Sequence, residues 1–402
     1  MDCQMDFLNC NSYFLNGLSN DYCWSIFAAN ASFPESNGCS ELEEIGKMIV
    51  ERCDGLPLAA ETLGRLLYSE HRVEEWKKIL LSDIWRFPVA NCKIFPALLI
   101  SYYHRPAHLR RCFVYCSLYP KDHPFDKDEL ILLWMAENLL PPPAIGETLE
   151  DVGSKCFDDL ASRLFFKQVE NDDIVMHDLI HDLATFLAGK FYCRLSELGE
   201  NEETRILTRH LSCDRPISRK PIPLNKFLRV LSFHDLIIYP DSIAKLIHLR
   251  YLDLSCCDFV VLPESICNLY NLQTLKLRSC PKLTMLPNGV YNLVNLRHLD
   301  TRDAPLKEMP KGMGKWKQLH ILTDYIVGKQ EERGIQELGG LLNLHGVLAI
   351  HKLENVADVN QARSARIIDK KHIEELLLEW SSGDDMVSNL QIERDVLDNQ
   401  GI

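Results

Sequence analysis

Three patterns in this 402-residue sequence predict a multidomain α plus α/β chain, with a helical and winged-helix part followed by a leucine-rich-repeat solenoid. Apolar residues recur at helical spacing through most of 41–188. Two short apolar runs enclose a polar turn just before the last of those helices. Leucines then recur in phase from about residue 225. The composition is that of a globular chain, 46% hydrophobic and 25% charged, which excludes disordered, collagen-like and low-complexity classes. A net charge of −13 opposes bulk binding to the phosphate backbone, so no direct nucleic-acid partner is expected. The 15 cysteines are irregularly spaced and contain no C-x-x-C, which reads as reduced, mostly buried thiols of a cytosolic or nuclear protein. No apolar run approaches the 18 residues that a membrane helix needs, and no transmembrane segment is expected.

The helical part is read in order. Residues 41–52 place Leu42, Ile45, Met48 and Ile49 on one face, with acidic residues in the first turn. Gly55 is a stop signal, and Pro57 suits the first turn of the next helix, 58–68. Further helices are expected at 73–81 (with Trp76), 94–103 and 109–115, the last two separated by Pro106. A helix over 126–140 is expected to end at Pro141-Pro142-Pro143, since proline cannot continue it. Another follows at 148–164. Runs at 165–169 and 174–176 flank Glu170-Asn171-Asp172-Asp173 as a hairpin, and 178–188 is helical. Helices, a small hairpin and a closing helix predict a winged-helix module at about 101–190. Asp126, Asp128, Glu129, Asp158 and Asp159 argue against DNA binding by it.

The repeats begin with Leu228-x-x-Leu231-x-Phe233. They continue as Leu249-x-x-Leu252-x-Leu254-x-x-Cys257, Leu272-x-x-Leu275-x-Leu277-x-x-Cys280, Leu296-x-x-Leu299-x-Thr301 and Leu319-x-x-Leu322, at intervals of 21, 23, 24 and 23 residues. A second landmark travels with them: Tyr239-Pro240, Leu262-Pro263, Leu286-Pro287 and Met309-Pro310. One unit cannot bury its own apolar face, so the units must stack. Cys257 and Cys280 fall where the chain leaves the strand and read as buried turn residues. The regularity fades after about 325; 334–356 reads as irregular repeat, 357–371 as helix-like, and Ile373-x-x-Leu376-x-Leu378 as a late strand.

Strand positions between the leucines point to the concave face. They are Tyr251, Asp253 and Ser255, then Thr274, Lys276 and Arg278, then His298, Asp300 and Arg302. Residues 270–320 hold nine Lys and Arg against three Asp and Glu, so this face is locally basic within an acidic chain. It is expected to dock an acidic partner or domain.

Four further segments carry a resemblance. They are Leu18-Ser19 with Cys23-Trp24-Ser25-Ile26-Phe27; Gly55-Leu56-Pro57-Leu58-Ala59; Cys112 through Asp122, continuing to Leu133-Trp134-Met135-Ala136-Glu137; and Met176-His177-Asp178. In this order, and followed by leucine-rich repeats, they resemble the plant intracellular disease-resistance proteins of the coiled-coil NB-ARC/leucine-rich-repeat class, over about 18–402. The resemblance implies a remnant of the nucleotide-binding core at 1–35, a helical ARC1-like subdomain at 36–100, a winged-helix ARC2-like subdomain at 101–190, a linker at 191–224 and repeats at 225–402. It implies an N-terminally truncated member of the family.

It also implies a switch that ADP locks and ATP opens. Pro57 would pack by the adenine and His177 would contact the ADP phosphate, with Gly55, Leu56 and Asp178 in support. His177 precedes a helix N-terminus, which favours an anion, and Asp178 is expected to cap that helix. The implied partners are proteins: a pathogen effector, a guarded host protein or another receptor chain.

None of the four Gly-Lys pairs is followed by Ser or Thr, so G-x-x-x-x-G-K-[ST] is absent from the sequence, and no apolar strand ends in paired aspartates to hold Mg²⁺. No ATP hydrolysis, and hence no enzyme, is expected of these residues; ADP would find only one wall of its pocket. His177-Asp178-Leu179-Ile180-His181 resembles H-E-x-x-H but lacks the Glu and a third ligand, and no metal is expected. Two functions follow. The first is a fragment of a nucleotide-gated immune receptor, and the alternative is a stand-alone interaction module or decoy that no longer binds nucleotide.

Overall fold

Ser19 opens the first helix, α1 (Asn20–Asn30), its side chain accepting from the Tyr22 amide. The computed structural model describes residues 17–32, 40–68, 70–86, 95–169, 173–188, 193–194, 210–213, 226–233 and 243–380. The described chain continues with α2 (Ser40–Glu51), α3 (Pro57–Leu66), α4 (Val73–Leu80), α5 (Phe95–Tyr103) and α6 (Ala107–Tyr115). Cys23, Phe27, Ile45, Ile49, Leu63 and Trp76 form the buried centre of these helices. The Trp24 ring stacks on Phe27, which meets Trp76 edge-on.

Next come α7 (Lys127–Ala136), α8 (Leu149–Ser162), β1 (Lys167–Gln168), β2 (Ile174–Val175) and α9 (Asp178–Ala188). The strands pair antiparallel, as a wing requires, and Phe125 bridges to Ile174 beside them. Part of the expected turn, 170–172, lies outside the described residues.

α7 corrects the sequence expectation. It stops at Ala136 rather than at the proline run, because Asn138 takes a left-handed conformation and the Leu139 amide turns back to the Trp134 carbonyl. Every side chain from Leu130 to Ala136 is buried, so the helix is apolar around its circumference. Gly153 lets the start of α8 approach it closely, since a Cβ there would lie 2.4 Å from the Ile131 side chain.

The solenoid sheet is parallel and has the order β3-β4-β5-β6-β7-β8-β9. Its strands are β3 (Cys193–Arg194), β4 (His210–Cys213), β5 (Val230–Phe233), β6 (Tyr251–Asp253), β7 (Thr274–Lys276), β8 (His298–Asp300) and β9 (Ile321–Leu322). A second parallel sheet carries the stack onward through β10 (Asp324–Ile326), β11 (His345–His351) and β12 (His372–Leu378), with α10 (Val359–Ser364) in the last connection. Two corrections follow. The stretch 191–224 is not simply a linker, since β3 and β4 lie in it; only Leu211 and Cys213 mark the β4 rung, too little for the leucine pattern to reveal. The expected helix over 357–371 shrinks to α10, capped by Asp358 and ended before Arg366, which is left-handed. The Tyr239-Pro240 landmark lies outside the described residues.

The rungs lock by a repeated device. The carbonyl of Arg229 accepts two amides of the next rung, Arg250 and Tyr251; those of Arg250, Gln273 and Arg297 do the same in turn. Asn271, Asn295 and Asn343, each just before a core leucine, donate Nδ2–H to the carbonyls of Ile247, Tyr270 and Lys317 in the preceding rung. The chain leaves successive strands through left-handed Cys256, Ser279 and Asp303. Cys257 and Cys280 are buried beside that turn, and the Cys280 thiol donates to the Leu254 carbonyl.

The structure divides into two compact units. One comprises Met1–Asp126 with Ser154–Leu187, the other Lys127–Gly153 with Ala188–Ile402. This partition cuts across the 101–190 module drawn from the sequence, because Lys127–Gly153 sorts with the repeats.

Candidate functional site

The two motifs of the first unit sit at helix N-termini. Gly55 is left-handed, and a Cβ on it would lie 2.7 Å from the Leu18 carbonyl, whose amide donates back to the Gly55 carbonyl at 2.8 Å. Leu56 is the N-cap of α3 without a side-chain hydrogen bond and packs against the helical core. Pro57 occupies the first helical position, where its missing N–H costs nothing, and is exposed.

At α9 the capping expectation is corrected. The His177 carbonyl accepts the His181 amide, and His177 Nδ1 accepts the Leu179 amide at 3.1 Å, so His177 rather than Asp178 caps the helix. Asp178 follows at the first helical position, exposed. Because Nδ1 is an acceptor, a neutral His177 ring carries its proton on Nε2. His181 is committed elsewhere, its Nε2 lying 2.7 Å from the Tyr119 carbonyl. Among the described residues no hydrogen bond joins the two motifs, and no group of three His, Cys, Asp or Glu side chains could hold a metal ion.

In the second unit, the concave-face positions are not an open surface. Tyr251, Asp253, Thr274, His298 and Asp300 are all buried. The segment Lys127–Gly153 of the same unit meets this face with three glutamates. Glu129 accepts from the Tyr251 hydroxyl at 3.1 Å and pairs with Lys276 at 3.3 Å. Glu137, 5% exposed, pairs with Arg229 at 3.6 Å. Glu150 takes two bonds from Arg297 Nη2, at 2.9 and 3.0 Å, and lies 3.0 Å from His298 Nε2. Arg229 and Arg250 also donate to the Glu137 and Ala136 carbonyls, so cations from two rungs cap the C-terminus of α7. Arg278 and Arg302 remain half exposed, and each pairs with an aspartate of the repeats, Asp303 and Asp300. Asp253 accepts from the Ser255 amide and hydroxyl.

Burial pushes the Glu150 carboxyl up, but the His298 hydrogen bond and the Arg297 charge outweigh it and hold the carboxyl well below the carboxylate range. Burial lowers His298 despite Glu150, so the ring is neutral at pH 7 and Arg297 is the ionic partner. A neutral ring suits the geometry: Thr274 Oγ1 lies 3.3 Å from His298 Nδ1, leaving Nε2–H to donate to Glu150. His298 heads a row of imidazoles across successive rungs, with His320, His345 and His372 at centroid spacings of 6.5, 5.4 and 4.5 Å. Burial lowers His320 and His345 as well.

Sequence reasoning missed Arg229, Arg250 and Arg297. Their signal was present, as each directly follows the first leucine of its repeat. Glu129, Glu137 and Glu150 carried no periodic signal as partners of the repeats.

Fold and geometry define a winged-helix module joined to a leucine-rich-repeat stack. Residues 118–184 match the family model "Disease resistance protein Winged helix domain", and residues 212–392 match "Leucine-rich repeat region". The chain is 37% identical over 416 residues to an RPP13-like disease resistance protein of Arabidopsis thaliana, covering 93% of this chain and 39% of the relative. It is 39% identical over 381 residues to disease resistance protein RGA2 of Solanum bulbocastanum, covering 92% of this chain and 39% of the relative. A second A. thaliana RPP13-like protein is 30% identical over 279 residues, 59% of this chain and 32% of the relative. The chain belongs to the plant disease resistance proteins. It spans under two fifths of the length of these relatives. No helix among the described residues is long and apolar enough to cross a membrane.

Proposed function

We propose that the chain is part of a nucleotide-gated plant immune receptor of the cytoplasm or nucleus, in which ADP favours a closed state and the repeats recognise a pathogen effector, a guarded host protein or another receptor chain. The observation that carries this reading is the seating of Lys127–Gly153 on the basic concave face through Glu129, Glu137 and Glu150. A contact that rests on three glutamates against Arg229, Lys276 and Arg297 is one that a switch could dock and release. The chain's own acidic segment is thus the acidic partner that the basic face takes in the closed state.

ADP fits the chemistry of the residues present. The capping role of His177 leaves Nε2–H as a donor at the N-terminus of an 11-residue helix, a setting suited to a phosphate. The exposed Pro57 ring offers an apolar surface without a donor. When bound, the nucleotide would supply charge to His177 and an aromatic face to Pro57; the chain's residues bind and orient it.

Calorimetric titration of ADP into the chain tests the reading, with His177→Ala and the cap-preserving His177→Asn as controls. Saturable binding that both substitutions weaken is expected. No binding by a chain that melts cooperatively would remove the nucleotide from this part of the receptor.

A further inference from the structure

Beyond the clamped rungs, where the chain leaves the strands, a cavity of about 450 Å³ opens across four successive rungs. Its floor is apolar, formed by the buried Leu306 and Ile326 with the half-buried Trp380. Its rim carries Asp303 at one end and Glu379 at the other, with side chains 67% and 62% exposed.

The two basic residues of the lining, His351 and Lys352, are already committed. His351 is held between two carboxylates, Nε2 at 3.0 Å from Asp324 and Nδ1 at 2.8 Å from Glu379. The Lys352 ammonium donates to the Lys307 carbonyl. Asp324 is saturated by Thr301, Thr323 and His351. Asp303 and Glu379 are different. Asp303 engages only Oδ2, which accepts from the Ser279 hydroxyl at 3.2 Å and lies 3.7 Å from Arg278, and Glu379 engages only one of its oxygens, with His351. The rim therefore keeps carboxylate valence for an incoming donor, over a floor that suits methylene stems.

We propose that this cavity is a docking site for a protein partner that presents basic side chains, arginine above all, in an extended segment. Arginine joins a long apolar stem to a planar cation that a carboxylate grips with two hydrogen bonds and that stacks on an indole. Asp303 and Glu379 stand three rungs apart, about 14 Å at the usual strand spacing. Two arginines four residues apart in an extended chain span about the same distance and share one face. The inference rests on the reading of the repeats as the partner-recognising part and specifies the chemistry of that partner.

The test uses the full chain and a fluorescent pentapeptide with arginine at its first and last positions, followed by polarisation. Saturable binding is expected, weakening as salt rises. Asp303→Asn with Glu379→Gln should weaken it at least tenfold while leaving the melting transition in place, and a citrulline-for-arginine peptide should bind at least tenfold more weakly. Equal affinity of the two peptides, or of the two proteins, overturns the proposal. Reversal of Arg297, at the clamp, is examined in the same preparation. A clamp that responds while the pocket stays silent sinks this proposal alone; silence from both sinks the recognition reading with it.

Discussion

Arg105 is the residue whose physics departs furthest from expectation. It is 4% exposed, with one hydrogen bond to the Ser101 hydroxyl, and neither Nε nor Nη1 has a partner. Its guanidinium lies 4.1 Å from the centroid of the Phe165 ring, and burial pushes its pKa down to about 9. A cation taken out of water with so few partners opposes folding, and a cation–π contact recovers only part of that cost. Arg105→Leu should therefore stabilise the chain by about 1–3 kcal/mol, seen as a higher Tm. A lower Tm would show that the guanidinium contributes more than its visible contacts. The sequence could not single it out, because Arg105 stands beside Pro106 between two helices and its burial arises from packing against Phe165, sixty residues on. Cys257 and Cys280 are the opposite case: repeat phase alone placed them at buried turns.

At the scale of elements, periodicity located most helices and the repeat strands, since one apolar face per element leaves a mark in the sequence. Ends were less legible. α7 ends where Asn138 goes left-handed and where Arg229 and Arg250 cap its carbonyls, partners that lie over ninety residues away. Glu150, in the first turn of α8, makes the link between helix and repeats measurable. Its carboxyl has a folded-state pKa held below the ordinary value of 4.5, so it contributes stability above that value and loses it as pH falls. Glu150→Gln should lower Tm most near neutral pH, and the gap from the parent chain should close as pH drops below about 4.5. A gap that is independent of pH would mean that Glu150 acts through packing alone.

For the whole molecule, the sequence revealed that one face of the solenoid is basic but not what covers it. The covering segment is acidic, as the winged-helix residues Asp128 and Glu129 already suggested. Its match to the face depends on contacts 147 residues apart, between Glu150 and Arg297. Such pairings leave no spacing rule in a single sequence. Tyr251, Thr274 and His298 were legible as concave-face positions, and their burial follows only once the segment is seated. The Asp303 and Glu379 rim was equally hidden, because it joins residues of separate repeats across a region where the leucine phase breaks down.

The central claim is that Lys127–Gly153 is held on the concave face by charge. A charge-swap cycle at Glu150 and Arg297, followed by thermal unfolding of the full chain, tests it most directly. Glu150→Arg and Arg297→Glu should each lower Tm by several degrees, and the double reversal should recover much of the loss, a coupling of about 1–3 kcal/mol. Single reversals whose effects simply add in the double variant would contradict the clamp and return the concave face to solvent.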